Sequence, residues 1–169
     1  MKTNGYRLQH ALRELEHARE VAASQFNENV TQFASAGEKV ALPEVFARFT
    51  RLEKQIASVQ TAQTTYNLGV EVNVLGEKMP LLQAVKLVGG AGRAEKMWRD
   101  TVKGKKDRYA YNADQRSKDT EYAERAIPVE EAMKHAQHAA RIASALREAI
   151  QVGNATEIEL SLDEASLLP

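Results

Sequence analysis

The residues most able to do chemistry lie in the middle of the sequence. Gly89-Gly90-Ala91-Gly92-Arg93 runs directly into a helical pattern. Glycines let backbone N–H groups approach an anion, and a helix N-terminus adds partial positive charge. Gly90 and Gly92 would supply that close approach, and Arg93, Lys96 and Arg99 the side-chain charge. The dinucleotide fingerprint also needs a preceding strand, a Gly-x-Gly-x-x-Gly spacing and a later acidic residue. Here the preceding residues have a helical pattern. A Walker motif is absent too, because Gly104-Lys105 is followed by Lys106 and the upstream glycine is missing. A helix break or a close helix crossing explains the glycines without a ligand, and weighs more than the anion reading.

A second group follows at Arg108-Tyr109-Ala110-Tyr111-Asn112, with Arg116 and Lys118. Tyr109 and Tyr111 could stack on a base, and Arg108 and Arg116 could clamp phosphate in fork geometry. The simpler alternative is a connecting loop with its tyrosines tucked against the core. Both groups fall in the same basic stretch, so one pocket could use both.

Other chemistries find less footing. Glu14 and His17 make one Glu-x-x-His, and Glu131, His135 and His138 could share a helix face. A di-metal bundle site needs two Glu-x-x-His motifs and two further carboxylates, so no metal is expected. The chain has no cysteine, which removes disulfides, thiolate ligands and cysteine nucleophiles. No Gly-x-Ser-x-Gly or His-Glu-x-x-His occurs. No catalytic residue and no cofactor are implied, and a non-enzyme is the expectation. Trp98, beside Met97, reads as core or interface.

The overall charge is zero, from 23 basic and 23 acidic residues among 169. That argues against a uniformly basic partner for nucleic-acid polymers. The zero is uneven: residues 86–118 carry ten basic and four acidic side chains, and residues 119–169 carry four and ten. Such poles suit an internal contact, charge-directed self-association or merely solvated faces. No apolar run reaches the roughly 18–20 residues of a spanning helix, and the N-terminus lacks an apolar signal core. A cytoplasmic chain without membrane contact is expected.

Elements must position these residues, and periodicity supplies them. Leu8, Leu12, Leu15, Ala18, Ala22, Phe26 and Phe33 recur at helical spacing, predicting a helix over residues 6–36 capped by Gly37. Pro43 opens a second helix, with Val45, Phe49, Leu52, Ile56 and Val59 as a heptad seam. Near Tyr66 the period changes to the alternation of residues 70–75, followed by a turn at Gly76-Glu77-Lys78. Pro80 begins a third helix, interrupted by the glycines and resuming to residue 106. Ala132, Ala136, Ala139, Ala143, Leu146 and Ile150 seam a long helix over residues 129–152, capped by Gly153-Asn154. Residues 122–127 and 156–162 are further strand candidates, the last able to pair with residues 70–75.

The expected fold is α+β and mostly α: long antiparallel helices with a small sheet of short strands, in a single domain over residues 1–169. Its parts are a helical hairpin (1–67), a β-hairpin (68–79) and a glycine-interrupted helix (80–106). A basic, tyrosine-bearing loop and short strand (107–128), a long helix (129–152) and a C-terminal strand (153–169) complete it.

The order from Arg51 to Leu160 resembles the septicolysin-like family of helical proteins, through Asn67, Gly76, Leu82, Ala84, Arg108, Tyr109 and Val129. The resemblance covers about two-thirds of the chain and implies a long helical hairpin, a glycine turn between short strands and a final long helix. This sequence departs from it at the Gly89–Gly92 cluster and in the added C-terminal strand. The cytolysin name implies pores, but the helices here are too charged to span a bilayer.

Two functions follow as expectations. The first is a non-catalytic homo-oligomer binding or sequestering a small anionic ligand such as a nucleotide, in the manner of a phage-type signal sponge. The second is a structural or partner-binding helical assembly, held by helix seams and charge complementarity.

Overall fold

The computed structural model describes residues 1–32, 40–103 and 127–169. The expected Gly37 cap, the strand at 122–127 (apart from Ile127) and most of the 107–128 loop lie outside them. The fold is mostly α with small sheets. The order is β1 (Lys2–Thr3), α1 (Gly5–Glu28), α2 (Leu42–Gly69), β2 (Glu71–Val74), β3 (Glu77–Pro80), α3 (Leu81–Lys103), α4 (Val129–Ala155) and β4 (Ile158–Glu159), then a 3-10 helix, Glu164–Leu167.

Asn4 caps α1, its side-chain oxygen accepting from Arg7 N at 2.9 Å, which satisfies one of the donors every helix start leaves open. The helix ends at Glu28, short of the expected residue 36. Asn29 stops it by donating its amide to Gln25 O and its backbone N–H to Phe26 O. Gln32 then bonds Val40 N and Val40 O through one side-chain amide, tying the end of α1 to the approach of α2. Pro43 sits in the first turn of α2, where its missing N–H costs nothing. The α2 seam runs on past Val59 through Ala62 to Tyr66, all three buried. Leu8, Ala11, Leu15 and Ala22 of α1 share that core. Phe26 meets Phe46, and Arg19 meets Glu53, so rising positions on α1 face falling positions on α2.

β2 and β3 form an antiparallel ribbon, with Val72 opposite Met79. Its turn is Leu75-Gly76, and Glu77-Lys78 belong to the returning strand. Both turn residues have positive φ, 54° and 96°, as a two-residue hairpin of matching twist requires. Asn73 Oδ1 accepts from Gly76 N at 2.7 Å. Leucine is poorly suited to that conformation. We expect Leu75→Asn to raise stability by about 0.5–1 kcal/mol in urea unfolding, since asparagine tolerates positive φ.

Three expectations about the second half are corrected. Pro80 ends β3, and α3 begins at Leu81, whose N–H bonds Val70 O at 2.8 Å. α3 runs unbroken through Gly89, Gly90 and Gly92. α4 continues through Gly153 and Asn154 to Ala155, because Gly153 is a packing residue. A Cβ there would lie 2.8 Å from both Leu81 Cδ1 and Val72 Cγ1.

The small sheet is also divided. β4 pairs with β1 and β2 with β3, as two separate ribbons. β3 and the turn into α3 occupy the chain beside β2, while Met1 and Leu160 exchange both of their backbone hydrogen bonds, at 2.6 and 2.9 Å. The rest of the expected C-terminal strand is irregular chain and the 3-10 helix, whose first turn is capped by Asp163.

Candidate functional site

α3 packs on α4. Ala84, Val88, Ala91, Glu95 and Trp98 step by 4, 3, 4 and 3 along it, the first three in or against the core and the last two meeting side chains of α4. The facing alanines Ala132, Ala139 and Ala143 are buried, so the larger side chains of α3 have room between the helices. Trp98 stacks on His135, with ring centroids 4.3 Å apart and planes 18° apart. Glu95 has a side chain only 14% exposed and joins two guanidinium groups, Arg99 on its own helix and Arg147 of α4 at 3.3 Å. The carboxylate therefore acts as a bridge across the seam, where charge-assisted bonds are strongest.

This geometry changes the anion reading. Gly90 and Gly92 lie inside a continuous helix, where backbone N–H groups point along the axis into intrahelical bonds. They form no N-terminal cradle. Instead the glycines give the surface a shallow floor for guanidinium groups. A Cβ on Gly89 or Gly90 would meet the Arg93 guanidinium at 3.6 and 4.0 Å, and one on Gly92 would meet Arg147 Nη2 at 3.9 Å.

Arg93 and Arg99 therefore part company. Arg99 turns to Glu95. Arg93 has no carboxylate partner among the described residues, and shares an exposed side of α3 with Lys86 and Lys96. Arg108, Tyr109, Tyr111 and Arg116 lie outside the described residues.

Sequence reasoning missed a further feature of α3. Leu87, Gly90, Ala94 and Met97 step 3, 4 and 3, placing them on one stripe beside the seam. Leu87 is exposed, and Met97 is 71% exposed. Along the whole helix only Leu81 and Ala84 are buried. On α4, Val129 and Met133 are exposed as well. Their helical spacing was available in the sequence, but which flank faces solvent follows only once α4 is placed.

Tyr66 was also missed. It is fully buried, with its hydroxyl 2.6 Å from Gly153 O and 2.7 Å from Thr156 O. Burial pushes its acidity constant above the ordinary tyrosine value, partly opposed by the nearby Gly5 backbone N–H. It ties α2 to the end of α4 and meets no solvent, so it is structural.

Histidine has no metal-like setting: among the described residues no three His, Asp or Glu side chains gather as ligands. His10 lies 3.9 Å from Glu14, and His135 4.0 Å from Glu131, each on its own helix. No described helix is long and apolar enough to cross a membrane.

No family model matches the chain, and no curated protein matches it. It is similar to a crystal structure of a functionally unknown conserved protein from Corynebacterium diphtheriae. That likeness has a TM-score of 0.63 at 15% identity, and covers 94% of this chain and 100% of that one. At such identity the likeness bears on the fold alone.

Proposed function

We propose that this protein is a non-catalytic helical assembly protein, an oligomer built through the outer stripe of α3. The observation that carries the reading is Leu87 and Met97 standing out on a helix that buries little else. Exposed apolar side chains set in line on one helix face suit an interaction site. The helix pairs α1–α2 and α3–α4 act as two antiparallel hairpins joined at their bases, and the second offers its stripe to a partner. The unequal charge of residues 86–118 and 119–169 supports self-association with an electrostatic component, and the location is cytoplasmic. Sedimentation equilibrium at 50 mM and 500 mM salt tests this: a mass above the monomer is expected at both, with weaker association at high salt.

The likeness to septicolysin-like proteins stays within this proposal as one of architecture. Gly76 at the ribbon turn and Leu82 and Ala84 at the onset of α3 support it.

A second reading, a small anionic ligand such as a nucleotide, is favoured by Arg93, which has no carboxylate partner among the described residues, beside Lys86 and Lys96. It predicts heat on isothermal titration with mono-, di- or cyclic nucleotides, and at least tenfold weaker binding in Arg93→Ala. Absence of heat at tens of micromolar protein would remove it.

A further inference from the structure

The C-terminal segment returns along α2. Thr156 O accepts from Tyr66 near the end of the helix, and Leu168 O accepts from Gln55 about three turns earlier. Between these anchors the segment and the helix leave a groove of about 590 Å³. Ser58, Thr61 and Thr65 line the helix side, with Ser161 and Asp163 opposite.

One wall is the chain that runs on from β4 through Leu160 and Ser161. Met1 and Leu160 form a hydrogen-bonded antiparallel pair, and such pairs alternate with non-bonded ones along a ladder. The backbone groups of Glu159 and the N–H of Ser161, on the peptide whose carbonyl bonds Met1, therefore point away from β1. Among the described residues none bonds to the N–H or C=O of Ser161. An unpaired edge is a template for another strand, and the short side chains of α2 keep the space beside it clear.

The chemistry of the groove selects the occupant. Ser58, Thr61 and Thr65 donate their hydroxyl protons to carbonyls one turn back, at 3.0, 2.9 and 3.1 Å, leaving lone pairs to accept. Residues 156–169 contain Glu157, Glu159, Asp163 and Glu164 and no lysine or arginine. Glu164 is held by Arg7 at 2.5 Å, while Glu157, Glu159 and Asp163 have no cationic partner among the described residues. Among the described residues no basic side chain lines the groove.

We propose that the free edge of β4 docks an extended peptide segment bearing lysine or arginine, which adds as a third strand across the groove. Main-chain hydrogen bonds to Glu159 and the Ser161 N–H supply affinity, and Asp163 in the lining, with Glu157 and Glu159 earlier on the same segment, favours basic side chains. This site lies on α2 and the C-terminal segment, so it stands independently of assembly through α3.

The test uses the full chain and a fluorescein-labelled octapeptide alternating lysine with threonine and valine. A second copy of the peptide is N-methylated at four consecutive residues, so both of its edges lose donors while its charge stays. Fluorescence anisotropy is expected to show saturable binding of the first peptide, weaker at high salt, and at least tenfold weaker binding of the second. Thr61→Trp, at an exposed position, should abolish binding with helicity unchanged by circular dichroism. Equal binding of both peptides, no binding at 1 mM, salt-insensitive binding, or full binding by the tryptophan variant would overturn the proposal. So would peptide-driven release of a second copy, seen by sedimentation, because the edge would then belong to self-association.

Discussion

Gly5→Ala is expected to destabilise the fold by about 3 kcal/mol, and Gly153→Ala by about 2 kcal/mol, while Gly89→Ala and Gly90→Ala stabilise it. A Cβ on Gly5 would lie 2.3 Å from Asn154 Oδ1 and 3.0 Å from Asn154 Cα. The side chain could turn, but the backbone of α4 would also have to shift. On Gly153 the Cβ would press on Leu81 and Val72, both buried, so overpacking exceeds the roughly 1 kcal/mol that alanine gains over glycine in a helix. At Gly89 and Gly90 the nearest atoms are the exposed Arg93 guanidinium. There the helix gain survives, at about 0.5–1 kcal/mol each. Urea unfolding followed by circular dichroism measures all four. A loss at Gly89 equal to that at Gly5 would contradict this account of the glycines.

Tyr66→Phe is expected to lose about 2–3 kcal/mol. It removes a buried hydroxyl whose acceptors, Gly153 O and Thr156 O, fix α2 to the C-terminal end of α4. Leaving such groups unsatisfied costs more than an average hydrogen bond contributes. The same side chain gives an alkaline signature. Burial raises its acidity constant, so the unfolded chain, near the ordinary value of about 10, releases this proton first. The stabilisation from Tyr66 is full below that pH and falls as pH rises toward the folded value. Tyr66→Phe should therefore be less stable than wild type at pH 8, and the gap should narrow above about pH 10. A constant gap across that range would contradict the buried, neutral phenol.

These two results concern features that the sequence conceals. The seams of α1, α2 and α4 were legible because Leu8–Leu15, Val45–Val59 and Ala132–Ile150 repeat at helical spacing. Tyr66 obeys the α2 seam too, but stands where strand-like alternation begins. Glycine was misleading in both directions. Composition alone cannot separate a glycine that breaks a helix from one that lets another chain approach, and Gly153 and Gly89 differ only in their neighbours across space. The pairing of β4 with β1 rests on two residues from each strand, too few to carry a periodic signal. For the candidate site, the basic character of α3 was legible. The division of labour between Arg93 and Arg99 was not, because it depends on Glu95 and Arg147 meeting across the helix pair. The outer stripe of Leu87 and Met97 likewise needed the position of α4 to separate core from surface.

Assembly through that stripe is tested most directly by the mass of the wild-type chain beside a Leu87→Glu, Met97→Glu double variant. Both positions are exposed, so the variant should keep its helicity. Two carboxylates on the stripe should weaken association at least 100-fold. Sedimentation equilibrium at 50 µM is predicted to show an oligomer for the wild type and a monomer for the variant. A monomeric wild type, or a variant with the oligomer's mass intact, would contradict the account.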